Sequence, residues 1–397
     1  MNKIVHETRG GQLIAQCGSV EVVSRAQLMH YPRWTTAFST ERKDHRYYEL
    51  VEDTIRQGFE YRFFLIKNER DEICAIQPFL ILDQDILAGT SARVRALARS
   101  IRRLWPRFLR MRTLMVGCAA GEGHIDGDES SIGPHAQILA SAIFHQAREL
   151  NTKLIVLKEF PAKYREALQC FLRRGFTRVP SLPMTRLNID YASFDEYMSR
   201  ALSRNMRKDL RRKFKTAARA PSIEMNVVDD VTSIIDDVYP LYLNVYERSK
   251  LSFEKLTKEY FCALGRLMPD KVRYFVWRQN GKIIAFALCM IQGDAIYGEY
   301  IGLDYSVALH LHLYHYAIRD VITWAMANGY KWFCSSALNY DPKLHLRFEL
   351  DPLDLYVRHT SGLFNLVLKW VLPLFEPTRY DNTLHRFPNY KELCGRP

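Results

Sequence analysis

Residues 271–303 hold three runs rich in β-branched and aromatic residues, KVRYFVWRQ, KIIAFALCMIQ and AIYGEYIGL, separated only by Asn280 with Gly281 and by Gly293 with Asp294. Asn-Gly between two alternating apolar runs is a strong hairpin signal, because both residues tolerate the positive φ of a turn that matches strand twist. Three consecutive antiparallel strands are therefore predicted, and they constrain everything around them. SIEMNVV (222–228) reads as a strand before them, followed by helices over about 231–249 and 254–267. After them, LHLYHYAIRDVITWAMANGY (311–330) has helical spacing and ends at Asn328 and Gly329, KWFCSSA (331–337) reads as a strand, and LDLYVRH (353–359) is the last one.

The first half has its own α/β order. YRFFLIKNERDEICAIQPFLIL (61–82) predicts a hairpin around the polar turn from Asn68 to Asp71. SARVRALARSIRRLWPRFLRMR (91–112) carries eight Arg and no acid, with Leu97, Ile101, Leu104 and Phe108 at helical spacing and Pro106 as a kink or break. A strand TLMVG (113–117), a loop rich in glycine and acids, a helix over 138–150, a strand KLIVLK (153–158) and a helix over 164–176 ending at Gly175 follow. PMTRLNID (183–190) reads as the strand that closes this unit. Residues 200–219 hold nine cations against the single Asp209, while Leu202, Met206, Leu210 and Phe214 recur every four residues. Such a helix docks its apolar stripe on protein and leaves its cations in solvent.

At 397 residues the chain is long enough for two or three cores at about 150 residues each. The predicted division is an N-terminal unit (1–198), a basic connecting helix (199–221), a second unit (222–360) and an extension (361–397). With 48% hydrophobic and 25% charged residues, wholly disordered, collagen-like and coiled-coil chains are excluded. The net charge of +12 favours an anionic partner: nucleic acid, a phosphorylated cofactor or an acidic membrane surface. Eight scattered cysteines form neither a disulfide framework nor a zinc ribbon, which suits a reduced, cytoplasmic setting. MNKIVHETRGGQ has no apolar run after its charges, so no secretory signal is read there. Lys369 and Pro373 interrupt SGLFNLVLKWVLPLFE (361–376), the nearest approach to a spanning helix.

The element order over 222–359 is that of the GNAT acyltransferase fold, and several words sharpen the likeness. SRNMRKDLRRKFK (203–215) after SFDEYMSRAL, then YGEYIG, LHLHLYHYAIRDVITWAMANGYKWF and the K-L-x-x-R-F from Lys343 to Phe348 resemble FemAB-like proteins in order and spacing. REALQCFLRRGFTRVPSLPMTRLNI is similar to the helix-to-strand passage of that family's first unit. The resemblance spans roughly residues 60–360. It implies an α/β (α+β) protein of two fused GNAT-like units, each a mixed, mostly antiparallel sheet flanked by helices. It also implies transfer of an acyl or aminoacyl group to an amine or similar nucleophile of a small molecule or cell-envelope precursor. The donor would be acyl-CoA or another acyl thioester, or aminoacyl-tRNA in another branch. The rival from a different class is a degenerate transferase fold kept as a membrane- or RNA-binding module. Where many members have Gly-Gly-Ala-Gln-Gly-Glu-His before the lysine, Ser335 to Pro342 stand here with one extra residue.

The expected chemistry needs a neutral nucleophile, a polarised carbonyl and a cradle for the donor's phosphates. In the GNAT fold the strands holding YGEYIGL and KWFCSSA splay apart, leaving an unpaired N–H for the carbonyl. Glu299 on the first is the expected base, against the plainer reading of a strand carboxylate paired with Arg or Lys. Tyr340 or Cys334 is the candidate acid for the leaving group; a buried hydroxyl and a core thiol are the alternatives. Tyr300, Ser335 and Ser336 are placed on the substrate, and Lys343 with Arg347, matched to the family's lysine and arginine, suit a carboxylate or phosphate. The strand-to-helix turn DYSVALH (304–310), with Leu303, Tyr305, Ser306 and His310 as donor-binding candidates, contains no glycine to close on a pyrophosphate. TLMVGCAAGEGH (113–124) superficially resembles a nucleotide loop, but Glu122, Asp126, Asp128 and Glu129 crowd it with negative charge, so a structural or substrate-facing loop is read. His310 and His312 point to different helix faces, so no metal ligand set forms with His315. The two basic helices are read as solvated faces, as contacts to tRNA, or as peripheral contacts to anionic lipid at the inner face of the membrane, with Trp105 and the 361–376 run at the interface. DNA is not an expected partner.

Overall fold

The structure is a computed structural model that describes residues 18–85, 96, 99–103, 110–249, 254–374 and 376–394. Among these, fourteen strands form two seven-stranded sheets. The strands are β1 (Ser19–Val23), β2 (Glu60–Lys67), β3 (Ile73–Asp85), β4 (Arg110–Val116), β5 (Leu154–Pro161), β6 (Thr177–Pro180), β7 (Met184–Asn188), β8 (Ile223–Val228), β9 (Val272–Gln279), β10 (Lys282–Gln292), β11 (Ala295–Leu303), β12 (Trp332–Ser335), β13 (Glu349–Asp351) and β14 (Leu353–His359). The longer helices are α1 (His45–Thr54), α2 (Ile132–Glu149), α3 (Gln169–Arg173), α4 (Phe194–Ala201), α5 (Arg204–Ala218), α6 (Ile235–Arg248), α7 (Lys258–Leu267), α8 (Leu313–Ala327), α9 (Tyr340–His345) and α10 (Gly362–Val371).

The first sheet runs β1-β2-β3-β4-β5-β14-β6 and the second β13-β7-β12-β11-β10-β9-β8. Each holds one parallel pair, β4 with β5 and β11 with β12, joined by a crossover through α2 or α8; every other pair is antiparallel. The predicted three-stranded core forms as expected, and Asn280 and Gly281 turn between β9 and β10 with φ of 50° and 77°.

The closing strands differ from the sequence reading. Residues 183–190 were expected to close the first unit, yet β7 pairs with β12 and β13 of the second sheet. β14, expected in the second unit, lies between β5 and β6 of the first. Apolar alternation says that a segment is a strand but not which sheet it joins. Residues 110–112, expected at the end of an Arg-rich helix, pair with β3 as the start of β4; most of that helix, with Trp105, lies outside the described residues. The helix expected over 164–176 shortens to α3, after a 3-10 turn at Ala162–Tyr164.

One apolar core lies between the sheets and draws Trp34, Tyr47, Phe63 and Leu80 from the first half and Tyr260, Phe261 and Phe286 from the second. α2 and α3 cover the outer face of the first sheet. On the outer face of the second, α5 docks through buried Leu210 and half-buried Met206 and Phe214. Burying a side chain fully, as for Leu210, contributes about 1.5–3 kcal/mol, while Arg204, Lys208, Arg211, Arg212 and Lys215 stay exposed. This is the amphipathic docking that the four-residue apolar spacing predicts.

Candidate active site

The candidate site on the second sheet begins where its strands part. β11 and β12 pair over four residues, from Ala295 with Trp332 to Gly298 with Ser335, and the Ser336 N–H donates to the Gly298 carbonyl at 3.1 Å. Beyond that point residues 299–303 have no partner strand on this side among the described residues. On the other side the β10 register slips: Leu288 faces Tyr300 and Cys289 faces Gly298, so Glu299 is the extra residue of a β-bulge. A bulge re-aims side chains and increases local twist, which suits a strand leaving its neighbour. The parting leaves a cavity of about 70 Å³ lined by Gly298, Glu299, Tyr300 and Ile301 of β11, by Ser335 and Ser336, and by Tyr314 and Ile318 of α8.

The bulge turns Glu299 toward the first half of the chain. Arg42 Nε donates to its Oε1 at 2.7 Å and Lys43 Nζ reaches its Oε2 at 3.3 Å. The same two cations hold Glu122, with Arg42 Nη2 at 2.6 Å from Oε1 as an ion pair without hydrogen-bond alignment and Lys43 Nζ at 2.9 Å from Oε2. His124 Nε2 lies 3.0 Å from Glu122, and its Nδ1 lies 3.2 Å from the Tyr164 hydroxyl. The Arg42 guanidinium also sits 3.8 Å over the Tyr297 ring. Although burial opposes charge throughout, Glu122 and Glu299 raise the Arg42 pKa, and Arg42, Lys43 and His124 hold the Glu122 carboxyl well below the usual carboxylate range. Glu41 is likewise held at about 2 by His124, Lys163 and Gln292 against its burial. Gly121, at φ 106°, makes room for Lys43: an added Cβ would lie 2.0 Å from Nζ.

Glu299 is thus a carboxylate paired with Arg42 and Lys43, the arrangement that its plainer reading describes. Sequence reasoning missed Arg42 and Lys43, whose only signal is a charged run in ERKDH, and it passed over Glu122 and His124 in the loop read as structural. It also missed Glu254, 3.0 Å from the Tyr300 hydroxyl. Burial pushes the Glu254 carboxyl up, with Lys158 opposing.

The other predicted residues divide. Ser335, Ser336 and Tyr300 border the cavity. Cys334 and Tyr340 stand outside its lining: burial pushes the Cys334 thiol up to about 12, and the Tyr340 hydroxyl donates to the Pro183 carbonyl at 2.9 Å. Lys343 is not a solvated cation. It is buried, its Nζ donates to the Ser336 and Leu338 carbonyls at 2.5 and 2.9 Å, and burial lowers it to about 7. Arg347 lies beyond the end of α9 at φ 63° and is exposed, so the two cations do not converge on one anion.

At the turn expected to meet the donor, Asp304 accepts from the Ser306 N–H and hydroxyl at 3.0 and 2.6 Å and pairs with Lys282 at 2.7 Å. A carboxylate therefore takes the donors that a glycine turn would offer to phosphate. Leu303 accepts from Asn244 through its carbonyl, Tyr305 lies under the Arg248 guanidinium at 3.7 Å, and His310 is exposed. Cations approach from another element: Lys213 of α5 lies 3.1 Å from His315 at the start of α8, and burial with Lys213 lowers His315 to about 4.

Comparison with known proteins agrees with this architecture. A profile of the FemAB-like family, described as peptidoglycan biosynthesis/recognition, matches residues 133–339, just over half of the chain. Among solved structures, FemX superposes with a TM-score of 0.50 at 11% identity, covering 78% of this chain and 90% of that one. L-PGS from Bacillus licheniformis gives 0.46 at 12%, covering 82% and 94%. A tandem GNAT protein from the clavulanic acid biosynthesis pathway gives 0.44 at 10%, covering 79% and 87%. No curated protein sequence matches the chain. The family match over the α2-to-β12 stretch, more than half of the chain, leads to one conclusion: this chain belongs to the FemAB-like family, and its paired mixed sheets share the fold of FemX.

Proposed function

We propose that the protein is an acyltransferase that moves an acyl group from an acyl-CoA or another acyl thioester to an amine or similar nucleophile of a small molecule or cell-envelope precursor, on the cytoplasmic side of the membrane. The observation that carries this reading is the unpartnered edge of β11 beside the cavity. A strand edge without a partner offers N–H groups to a carbonyl oxygen as it becomes an oxyanion. A volume of about 70 Å³ is small beside the few hundred Å³ of a full ligand pocket. It suits the acyl end of the donor, with the rest of the arm outside.

Two carboxylates flank the bulge on the side of the first unit, and their surroundings assign them different work. Glu299 is held by both Arg42 and Lys43, so in this reading it fixes the bulge and orients the nucleophile. Glu254, destabilised as a carboxylate by burial, takes the proton through the Tyr300 hydroxyl. The amine nitrogen then bonds to the carbonyl carbon, the C–S bond breaks, and the thiolate leaves through the cavity mouth to take a proton from water.

A second reading, transfer from aminoacyl-tRNA, is favoured by one specific observation. Half-buried Lys213 of α5 lies beside the start of α8 on a helix whose other cations are largely exposed, while Asp304 occupies the turn where a CoA pyrophosphate would approach. Incubating the protein with labelled acetyl-CoA, longer acyl-CoAs and charged tRNA in turn tests both. Label bound or transferred from a thioester supports the first reading, and label from tRNA alone supports the second. No binding of any donor overturns both and leaves a binding module.

A further inference from the structure

Helix α10 carries its apolar stripe on the wrong side for a core helix. Leu363, Leu366, Val367 and Trp370 recur at i, i+3, i+4 and i+7, the spacing of one helix face, and with Phe364 they face solvent, Leu363 at 71% and Trp370 at 82% exposure. Opposite that stripe the helix is firmly fastened. The buried Asn365 side chain accepts from the His359 N–H at 2.9 Å and donates to the Gly175 carbonyl at 3.0 Å, while Leu368 packs against the core between the sheets. The apolar face is thus held outward by a built anchor. Monomeric proteins seldom leave such a patch uncovered without a partner.

The charges around the patch identify the partner. Lys369 lies on the helix, Arg173 and Arg174 precede Gly175 where Asn365 anchors, and the Lys153 carbonyl accepts from the Thr360 N–H at 2.9 Å, two residues before the helix starts. Arg148 lies near enough to Arg358 for the two, with Arg174, to repel. Arg148, Lys153, Arg173, Arg174 and Lys369 are exposed, and none has a carboxylate partner among the described residues. Across a two-fold interface with a second copy these cations would face their own like charges. An anionic lipid surface offers both of the things this face lacks: acyl chains for the stripe and phosphates for the rim. Ten residues of helix span about 15 Å, about half of a bilayer core, so α10 would lie in the interface plane, and no described helix is long and apolar enough to cross a membrane.

We propose that α10 and the cations beside it dock the protein on an anionic membrane, independently of which donor the active site uses. The test is flotation of the full chain with phosphatidylcholine vesicles with and without phosphatidylglycerol, which requires no turnover. The expected result is flotation with phosphatidylglycerol, weakened by salt. Leu366→Glu with Trp370→Glu should cut partitioning by about tenfold or more, and Arg174→Glu with Lys369→Glu by about fivefold for each cation. Quenching of tryptophan by brominated phosphatidylglycerol, present in the wild type and lost in Trp370→Phe, gives a second reading free of folding defects. No flotation overturns the proposal, as does equal flotation of wild type and variants or quenching unchanged in Trp370→Phe. A dimer in sedimentation that Trp370→Glu dissociates, without vesicle binding, would assign the face to a second copy instead.

Discussion

Lys43→Met probes the buried charge cluster most directly. Arg42 and Lys43 balance Glu122 and Glu299, with each cation touching both carboxylates. Methionine has nearly the length of lysine, so the substitution removes the charge and leaves little void. Two buried carboxylates then share one guanidinium. Leaving such a charge uncompensated costs about 3–5 kcal/mol. With roughly 2.1 cal/mol/K of unfolding entropy per residue, a 397-residue chain that melts cooperatively loses about 4–6 °C in Tm. Glu122→Gln alone should cost a similar amount, because it leaves two cations on one carboxylate. The double variant restores neutrality and should recover about 1–3 kcal/mol of the summed loss. Scanning calorimetry or urea titration of the four proteins closes the cycle. A double variant as unstable as the sum of the singles would refute the account of a mutually compensating cluster.

Other expectations follow from the same geometry. Glu41 is held at about 2 from an ordinary 4.5, so its contribution is complete above pH 4.5 and lost as pH falls toward 2; the shift corresponds to about 3 kcal/mol, and Glu41→Gln should flatten the acid limb of a stability-against-pH curve. Lys343 is lowered from 10.5 to about 7, so the wild type gains stability over Lys343→Met as pH rises from 7 to 10.5, by a few kcal/mol on titration with denaturant. Gly121→Ala, which drives a methyl onto Lys43 Nζ at a strained φ, should destabilise the wild type clearly and the Lys43→Met background less. Glu254→Gln should lower kcat by about 10²–10⁴-fold with the fold intact, and unchanged turnover would remove Glu254 from the proton path.

Where local chemistry decides a structure, the sequence was readable. Asn280 with Gly281 and Gly293 with Asp294 marked the three-stranded core because turn geometry is set by the turn residues themselves, and the four-residue apolar spacing marked α5 because helix docking follows its own period. The parting of β11 from β12 followed from resemblance, not from any residue pattern. The destinations of β7 and β14 were not legible, since pairing between distant segments leaves no mark on either segment alone. The same limit hid the cluster at Glu299. Arg42 and Lys43 lie more than 250 positions away, and only the packed sheets bring them to the bulge. Lys343 and Arg347 misled for the opposite reason: spacing four apart suggests a shared helix face, but α9 ends at His345 and burial claims only the first.

The exchanged strands bear on how this chain is made. Among the described residues, β6 is hydrogen-bonded into its sheet only through β14, and β13 joins the other sheet only through β7. As the polypeptide leaves the ribosome, the opening half therefore waits with a vacant slot between β5 and β6 until residues 353–359 have emerged. A nascent chain stopped between the basic helix and that last strand presents an open sheet edge to chaperones, and separately expressed halves should each require the other in order to become soluble.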